Sequence, residues 1–196
     1  MMNIKRMNWL GIASAVTATI LLVVSVAYAT PWWQLSIAQG MGQINLSPLD
    51  YRAQLLGVPI EIPILWFVNL SAKLLLLSAI ITLLLYSIVP NGKYAKNLLN
   101  YSYKRPLVLV IGLIVVVVIL TFLANVLLPI DLDVPISGAA TATITVENAS
   151  INVPVTTGFT WAFWLAIITA ALAIGAKIYH HKILVPKILQ QKPSGK

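Results

Sequence analysis

The sequence predicts a membrane α-helical fold: a four-transmembrane-helix bundle carrying a small extracytoplasmic antiparallel β-sheet built from both outer loops. Three observations predict it. The 196-residue chain is 59% hydrophobic and only 9% charged, whereas a soluble domain carries roughly a quarter charged residues. Four apolar runs reach the length of about 20 residues that crosses a hydrocarbon core of roughly 30 Å. Two of the segments between those runs alternate apolar and polar residues, as half-buried strands do.

The spans fall at about 9–29, 64–89, 107–128 and 159–176 of a single membrane domain, 1–196. Prolines punctuate them. Pro31 follows the first, Pro63 and Pro90 bracket the second, and Pro106 and Pro129 bracket the third. Proline is accepted in a first helical turn and stops a helix beyond its end. Only helices and closed barrels satisfy their backbone groups in hydrocarbon, and these runs are too long for barrel strands.

Charge sets the expected direction. Eleven basic residues lie before the first span, in the 90–106 loop and in the 177–196 tail, with no acid beside them. All five acids lie in the loops 30–63 and 130–157, with Arg52 as the one base there. Basic residues stay inside, so both termini and the 90–106 loop are expected in the cytoplasm of a multi-pass plasma-membrane protein. The same distribution explains the net charge of +8 without nucleic acid as a partner. The N-terminus also fits a signal peptide ending at Ala27-Tyr28-Ala29. Its apolar run of about 20 residues exceeds the usual h-region of roughly 7–15 and favours a retained span. Cleavage would leave three spans in the same orientation.

Within the first outer loop, Trp33–Ile37, Gln43–Ser47 and Val58–Ile62 alternate, with turns at Gly40, Gly42, Pro48 and Gly57. In the second, Thr141–Val146 and Ser150–Val155 read as a hairpin. Either loop alone is too small for a stable sheet, so the two are expected to combine into one β subdomain. Asn45-Leu46-Ser47 and Asn148-Ala149-Ser150 are glycosylation sequons there.

Candidate chemistry is sparse. The chain has no cysteine, which removes disulfides, thiolate catalysis and cysteine metal sites. Lys73 is the one full charge inside a span. Asn69 lies one turn away on its face, and Asn125 lies at a comparable depth in the third span. An ionisable residue costs at least about 2.5–3.5 kcal/mol at the bilayer centre, so Lys73 either snorkels outward along its stem or serves a partner, a headgroup or a transport path. Asp131, Asp133 and Glu147 could offer oxygen ligands to a hard cation, but three scattered carboxylates more often form a solvated edge. No metal and no cofactor are expected. His180 and His181 point about 100° apart on a helix, which disfavours a shared metal. Gly11, Ala15 and Thr19 recur every four residues, as do Ala171 and Gly175. Such small-residue rows let helices approach in lipid, so the first and fourth spans are expected to pack together. Tyr94, Leu98 and Tyr101 have helical spacing among lysines of the inner loop, as in an interfacial helix. The chain contains no Walker, dinucleotide, metalloprotease or nucleophile-elbow motif, and no catalytic residue can be named.

Four spans, internal ends and an outer domain of both loops resemble the claudin-type tetraspan superfamily. The resemblance is one of topology. Trp32 and Trp33 stand near the start of the first outer loop, where that family carries a Trp…Gly-Leu-Trp…Cys…Cys motif, but the Gly-Leu-Trp and both cysteines are absent here. The resemblance implies an outer sheet stapled to a helical bundle and presenting a contact surface. The expected function is therefore non-enzymatic protein–protein contact, with other membrane proteins or with itself, as an adhesion-like protein or an accessory subunit. The alternative is a small transporter or channel component organised around Lys73.

Overall fold

The computed structural model describes residues 7–90, 94–127, 134–146, 149–184 and 186. Its helices follow the apolar runs. They are α1 (Trp9–Ala27), α2 (Pro63–Ile88), α3 (Ala95–Ser102), α4 (Lys104–Leu127) and α5 (Trp161–Tyr179). A π-helical turn, His180–Leu184, extends α5. Among the described residues, four stretches are long and apolar enough to cross a membrane: α1, α2, the run Ala95–Val126 that contains α3 and most of α4, and the run Trp161–Leu184. Pro106 sits in the first turn of α4, where backbone N–H groups have no helical acceptor to lose.

Both segments that alternate in sequence are strands of one sheet. The strands are β1 (Trp33–Ile37), β2 (Gly42–Leu46), β3 (Tyr51–Leu55), β4 (Val58–Ile60), β5 (Gly138–Val146) and β6 (Ala149–Phe159). They form a six-stranded antiparallel sheet in the order β4-β3-β2-β1-β6-β5. The pairing of β1 with β6, from Trp33↔Phe159 to Ile37↔Val155, joins the two segments. Strand β3 is not among the expected strands: Tyr51, Ala53 and Leu55 do alternate with Arg52 and Gln54, but those two polar residues and the small Ala53 lower its hydrophobicity.

The chain divides into two compact units: residues 1–23, 73–110 and 165–196, and residues 24–72 and 111–164. In the first, Ala15, Leu83, Tyr86, Ala95 and Leu99 form a buried cluster. Helix α3 turns Ala95, Leu99 and Ser102 inward, whereas Tyr94 and Tyr101 are exposed. Its buried face is thus offset from the Tyr94–Leu98–Tyr101 row that the sequence suggested. Serine and threonine hydroxyls on the helices donate to carbonyls a turn back, as Ser87 does to Leu83 O and Thr169 to Leu165 O. Such bonds settle hydroxyls that an apolar solvent cannot.

The second unit holds the sheet. Trp32 and Trp33 anchor it, each only 1% exposed. Tryptophan is enriched in belts at membrane–water interfaces, but each of these indole N–H groups has an internal acceptor: Ser25 Oγ at 2.9 Å for Trp32 and Ile136 O at 2.8 Å for Trp33. Tyr28, Trp66, Trp161 and Trp164 are exposed instead, as a belt requires.

Candidate functional site

The register sorts the sheet into two chemically different faces. Side chains alternate along each strand and cross-strand partners share a face. One face therefore carries Trp33, Leu35, Leu46, Ala53, Leu55, Val58, Ile60, Val155 and Phe159. The other carries Gln34, Ser36, Gln43, Asn45, Arg52, Gln54 and Thr156. On this polar face Gln54 donates to Gln43 Oε1 at 2.8 Å, and Thr143 donates to Asn152 Oδ1 at 3.2 Å.

The apolar face is covered at its centre and open at its borders. Trp33, Leu35, Leu46, Ala53 and Val155 are buried. Residues 134–137 lie against it: Ile136 O accepts from Trp33, and Pro135 O accepts from the Thr157 hydroxyl at 2.7 Å. Towards β4 the cover stops. Leu55, Val58 and Ile60 are exposed, and so is Met41, whose carbonyl accepts from Leu56 N–H.

The turn between β3 and β4 completes this apolar tip. Leu56 and Gly57 connect Leu55 to Val58 with φ of 51° and 77°. Two consecutive left-handed residues are the geometry of a type I′ hairpin turn, which favours Asn-Gly. Leucine at the first position is strained by its Cβ. Leu56 is nevertheless 72% exposed, so burial inside this chain does not explain the choice. A strained, solvent-facing leucine at a hairpin tip is an outlier of the kind that marks functional positions.

The polar residues singled out inside the spans have specific places. The Asn69 amide, turned with its nitrogen toward Pro48, donates to Pro48 O at 3.2 Å and accepts from Tyr51 N–H at 3.1 Å. It fastens α2 to the β2–β3 connection. Asn125 Oδ1 accepts from Val134 N–H at 2.7 Å, and Asn125 Nδ2 donates to Val134 O at 3.3 Å. Both amides hold backbone. Lys73 is half-buried on α2 and forms no ion pair among the described residues. Asn45 lies mid-sheet in β2, opposite Gln34 and Arg52. The hydroxyl of Ser47, which completes its sequon, accepts from the N–H groups of Leu49 and Asp50 at 3.0 and 2.9 Å. Asn148, Asp131, Asp133 and Glu147 lie outside the described residues.

Among the small residues, Gly11 and Ala15 are buried, whereas Thr19 and Ala171 are exposed. A Cβ on Gly11 would stand 2.1 Å from Ser87 Oγ, and one on Gly175 would meet Leu10 Cδ1 at 3.6 Å. The tight approach of Gly11 is therefore to α2. Helices α1 and α5 meet along a neighbouring row, where the Ser14 hydroxyl donates to Thr169 O at 3.0 Å. Ala166, Ala170, Ala173 and Ala176 are buried on α5.

One node went unread in the sequence. Asn8, fully buried, caps α1 by accepting from Gly11 N–H at 3.1 Å. Its Nδ2 donates to Tyr86 Oη at 2.8 Å and to Ala176 O at 2.9 Å. One amide thereby ties α1, α2 and α5. The His180 ring lies edge-on to Tyr86 at 5.3 Å, and its Nδ1 is buried with no hydrogen-bond partner among the described residues. An asparagine just before an apolar run is an N-cap signal; its two distant partners are tertiary facts with no local trace. Nearby in the same unit, cations rest on tyrosines. Lys177 Nζ lies 3.9 Å from the Tyr103 ring centre, and Arg105 Cζ lies 4.2 Å from that of Tyr101.

A comparison with protein-family models and with characterised protein sequences finds no match to either.

Proposed function

We propose that this chain is a non-enzymatic, multi-pass membrane protein whose extracytoplasmic sheet makes contact with other membrane proteins, as an adhesion-like protein or an accessory subunit. The observation that carries the reading is the hairpin tip: Leu55, Leu56 and Val58, with Met41 beside them, present apolar side chains at the uncovered border of a face that is buried at its centre. Contiguous exposed apolar surface marks an interaction site. The strain at Leu56 supports it, because an Asn in that place would suit the turn and lose the apolar contact.

The orientation rests on charge. The segments before the first span, at 90–106 and at 177–196 hold eleven basic residues and no acid, and all five acids fall in the segments 30–63 and 130–157. Positive charge is retained on the cytoplasmic side, so both termini lie there and the sheet lies outside. The chain lacks cysteine, so a single introduced thiol reports its own position. An impermeant maleimide on intact cells should label Gln54→Cys, and Lys96→Cys only after permeabilisation; the reverse would invert the topology.

Asn69 and Asn125 both spend their amides on backbone, which favours the contact reading over a transport path built on Lys73. The decisive experiment compares the native protein with Leu56→Asn by co-purification from membranes in mild detergent. The native chain should carry a stoichiometric protein, and the variant should release it while keeping its thermal unfolding temperature. A monodisperse monomer at native expression would sink the reading. If Leu56→Asn instead changed only the partition of the chain into liposomes, the tip would be a lipid contact.

A further inference from the structure

Among the described residues the sheet leaves backbone open along β4, at the end of β6 beyond β1 and along β5, and these stretches are not equally protected. Strand β4 is three residues long with Pro59 at its middle. Beyond its pairing with β1, which ends at Ile37↔Val155, β6 pairs among the described strands with β5 alone. That free stretch carries Pro154 at its first unpaired position. Short length and proline are the usual defences of an edge. Strand β5 has neither. Its nine residues, Gly-Ala-Ala-Thr-Ala-Thr-Ile-Thr-Val, include no charge and no proline. Its register with β6 runs one-to-one from Gly138↔Thr157 to Val146↔Ala149, without a bulge. Beyond β1, β5 and β6 therefore form a two-stranded ribbon, and such a ribbon is marginal alone in water.

An edge of this kind pairs with another strand unless something prevents it. The composition of β5 names the other strand. Antiparallel pairing with an identical strand about Ala142 uses its full length. It sets Ala142 against itself on one face. On the other face it sets Thr141 against Thr143. No charge is opposed, and cross-strand threonine pairs are favourable. We infer that β5 is the self-association edge: two copies of this chain pair through β5 about a two-fold axis, extending two six-stranded sheets into one of twelve. The contact is isologous, so it closes at the dimer. This inference rests on the reading that the outer sheet is a contact surface, and it assigns one border of that sheet to a second copy.

Thr141 and Thr143 are exposed, so changing them tests pairing with little cost to the fold. Differently tagged copies carrying Thr141→Cys and Thr143→Cys should form a mixed disulfide in native membranes under mild oxidant, more readily than either variant does with itself. Val58→Cys at the opposite border should not cross-link. The double variant Thr141→Lys/Thr143→Lys opposes like charges at two positions in the pair and should weaken the dimer about tenfold or more in mild detergent. Mixing it with Thr141→Glu/Thr143→Glu should restore a heterodimer, which a misfolded variant could not do. An unchanged dimer fraction in the lysine variant, or no heterodimer on mixing, would overturn the inference. If self-association survives the lysines while Leu56→Asn still releases a partner, β5 is not the edge but the contact reading stands. Absence of every association in native membranes would remove both.

Discussion

The two compact units are held together by opposite means. In residues 1–23, 73–110 and 165–196, helices meet through small residues, and one buried amide joins three of them. Lipid supplies no hydrophobic drive between helices, so close fit and hydrogen bonds decide the packing. In residues 24–72 and 111–164, a backbone ladder does the joining, and alternation divides a covered apolar face from a polar one. A ladder is indifferent to most exposed side chains, whereas a helix contact closed on glycine is sensitive to one methyl group. The difference teaches where each unit is vulnerable: the first at its small and capping residues, the second at its turns and edges.

The sharpest way to break that contrast is at Asn8. Asn8→Ala removes a helix cap, worth about 0.5–2 kcal/mol, and leaves the buried Tyr86 hydroxyl short of a donor, at about 1–3 kcal/mol. A fall in thermal unfolding temperature in detergent is expected, larger than for any polar-face change in the sheet. If Gln43→Ala or Gln54→Ala costs as much, the contrast between the units fails.

Next in size come the glycines. Gly11→Ala should cost about 1–3 kcal/mol by overpacking against Ser87. Gly11→Ala/Ser87→Ala should recover part of that loss, because the clashing oxygen is gone. Gly175→Ala should be nearly neutral, since its new methyl meets Leu10 at an ordinary contact distance. Equal losses at both glycines would show that the close approach of α1 to α2 is not what makes Gly11 necessary.

In the sheet, Leu56→Asn should leave stability unchanged or raise it by up to about 1 kcal/mol, because asparagine accepts the left-handed conformation. Its expected cost is binding alone. A loss of stability would mean that the leucine serves the fold. The smallest effect is expected at Lys73. Lys73→Met should leave ion flux through reconstituted liposomes unchanged, and abolished flux would move the function from the sheet to the helices.

Much of this architecture was legible because the bilayer imposes length and the sheet imposes alternation. Trp9–Ala27 and Pro63–Ile88 stand out by hydropathy alone, and Thr141–Val146 stands out by period. Tyr51–Leu55 did not, since Arg52 and Gln54 lower its hydrophobicity while leaving its pattern intact. The small-residue rows indicated that α1 has a tight partner, but not which face of α5 is used or that Gly11 meets Ser87. Helix rotation is set by tertiary fit, and every row on α1 offers a small residue. The exposed tip at Leu56 lay equally beyond reach, because nothing local distinguishes a leucine that turns outward in a strained turn from one that is buried.

The pairing of β1 with β6 has a consequence for synthesis. Ile37 and Val155 are neighbours in the sheet but lie about 120 residues apart, which is roughly 6–24 s of translation at about 5–20 residues per second. Throughout that interval β1 has a partner on one side only. The open flank invites misjoining on the ribosome until the last strand emerges. A chain stopped before Val155 would leave the flank open for good, so cells should recognise and degrade such fragments faster than the finished protein.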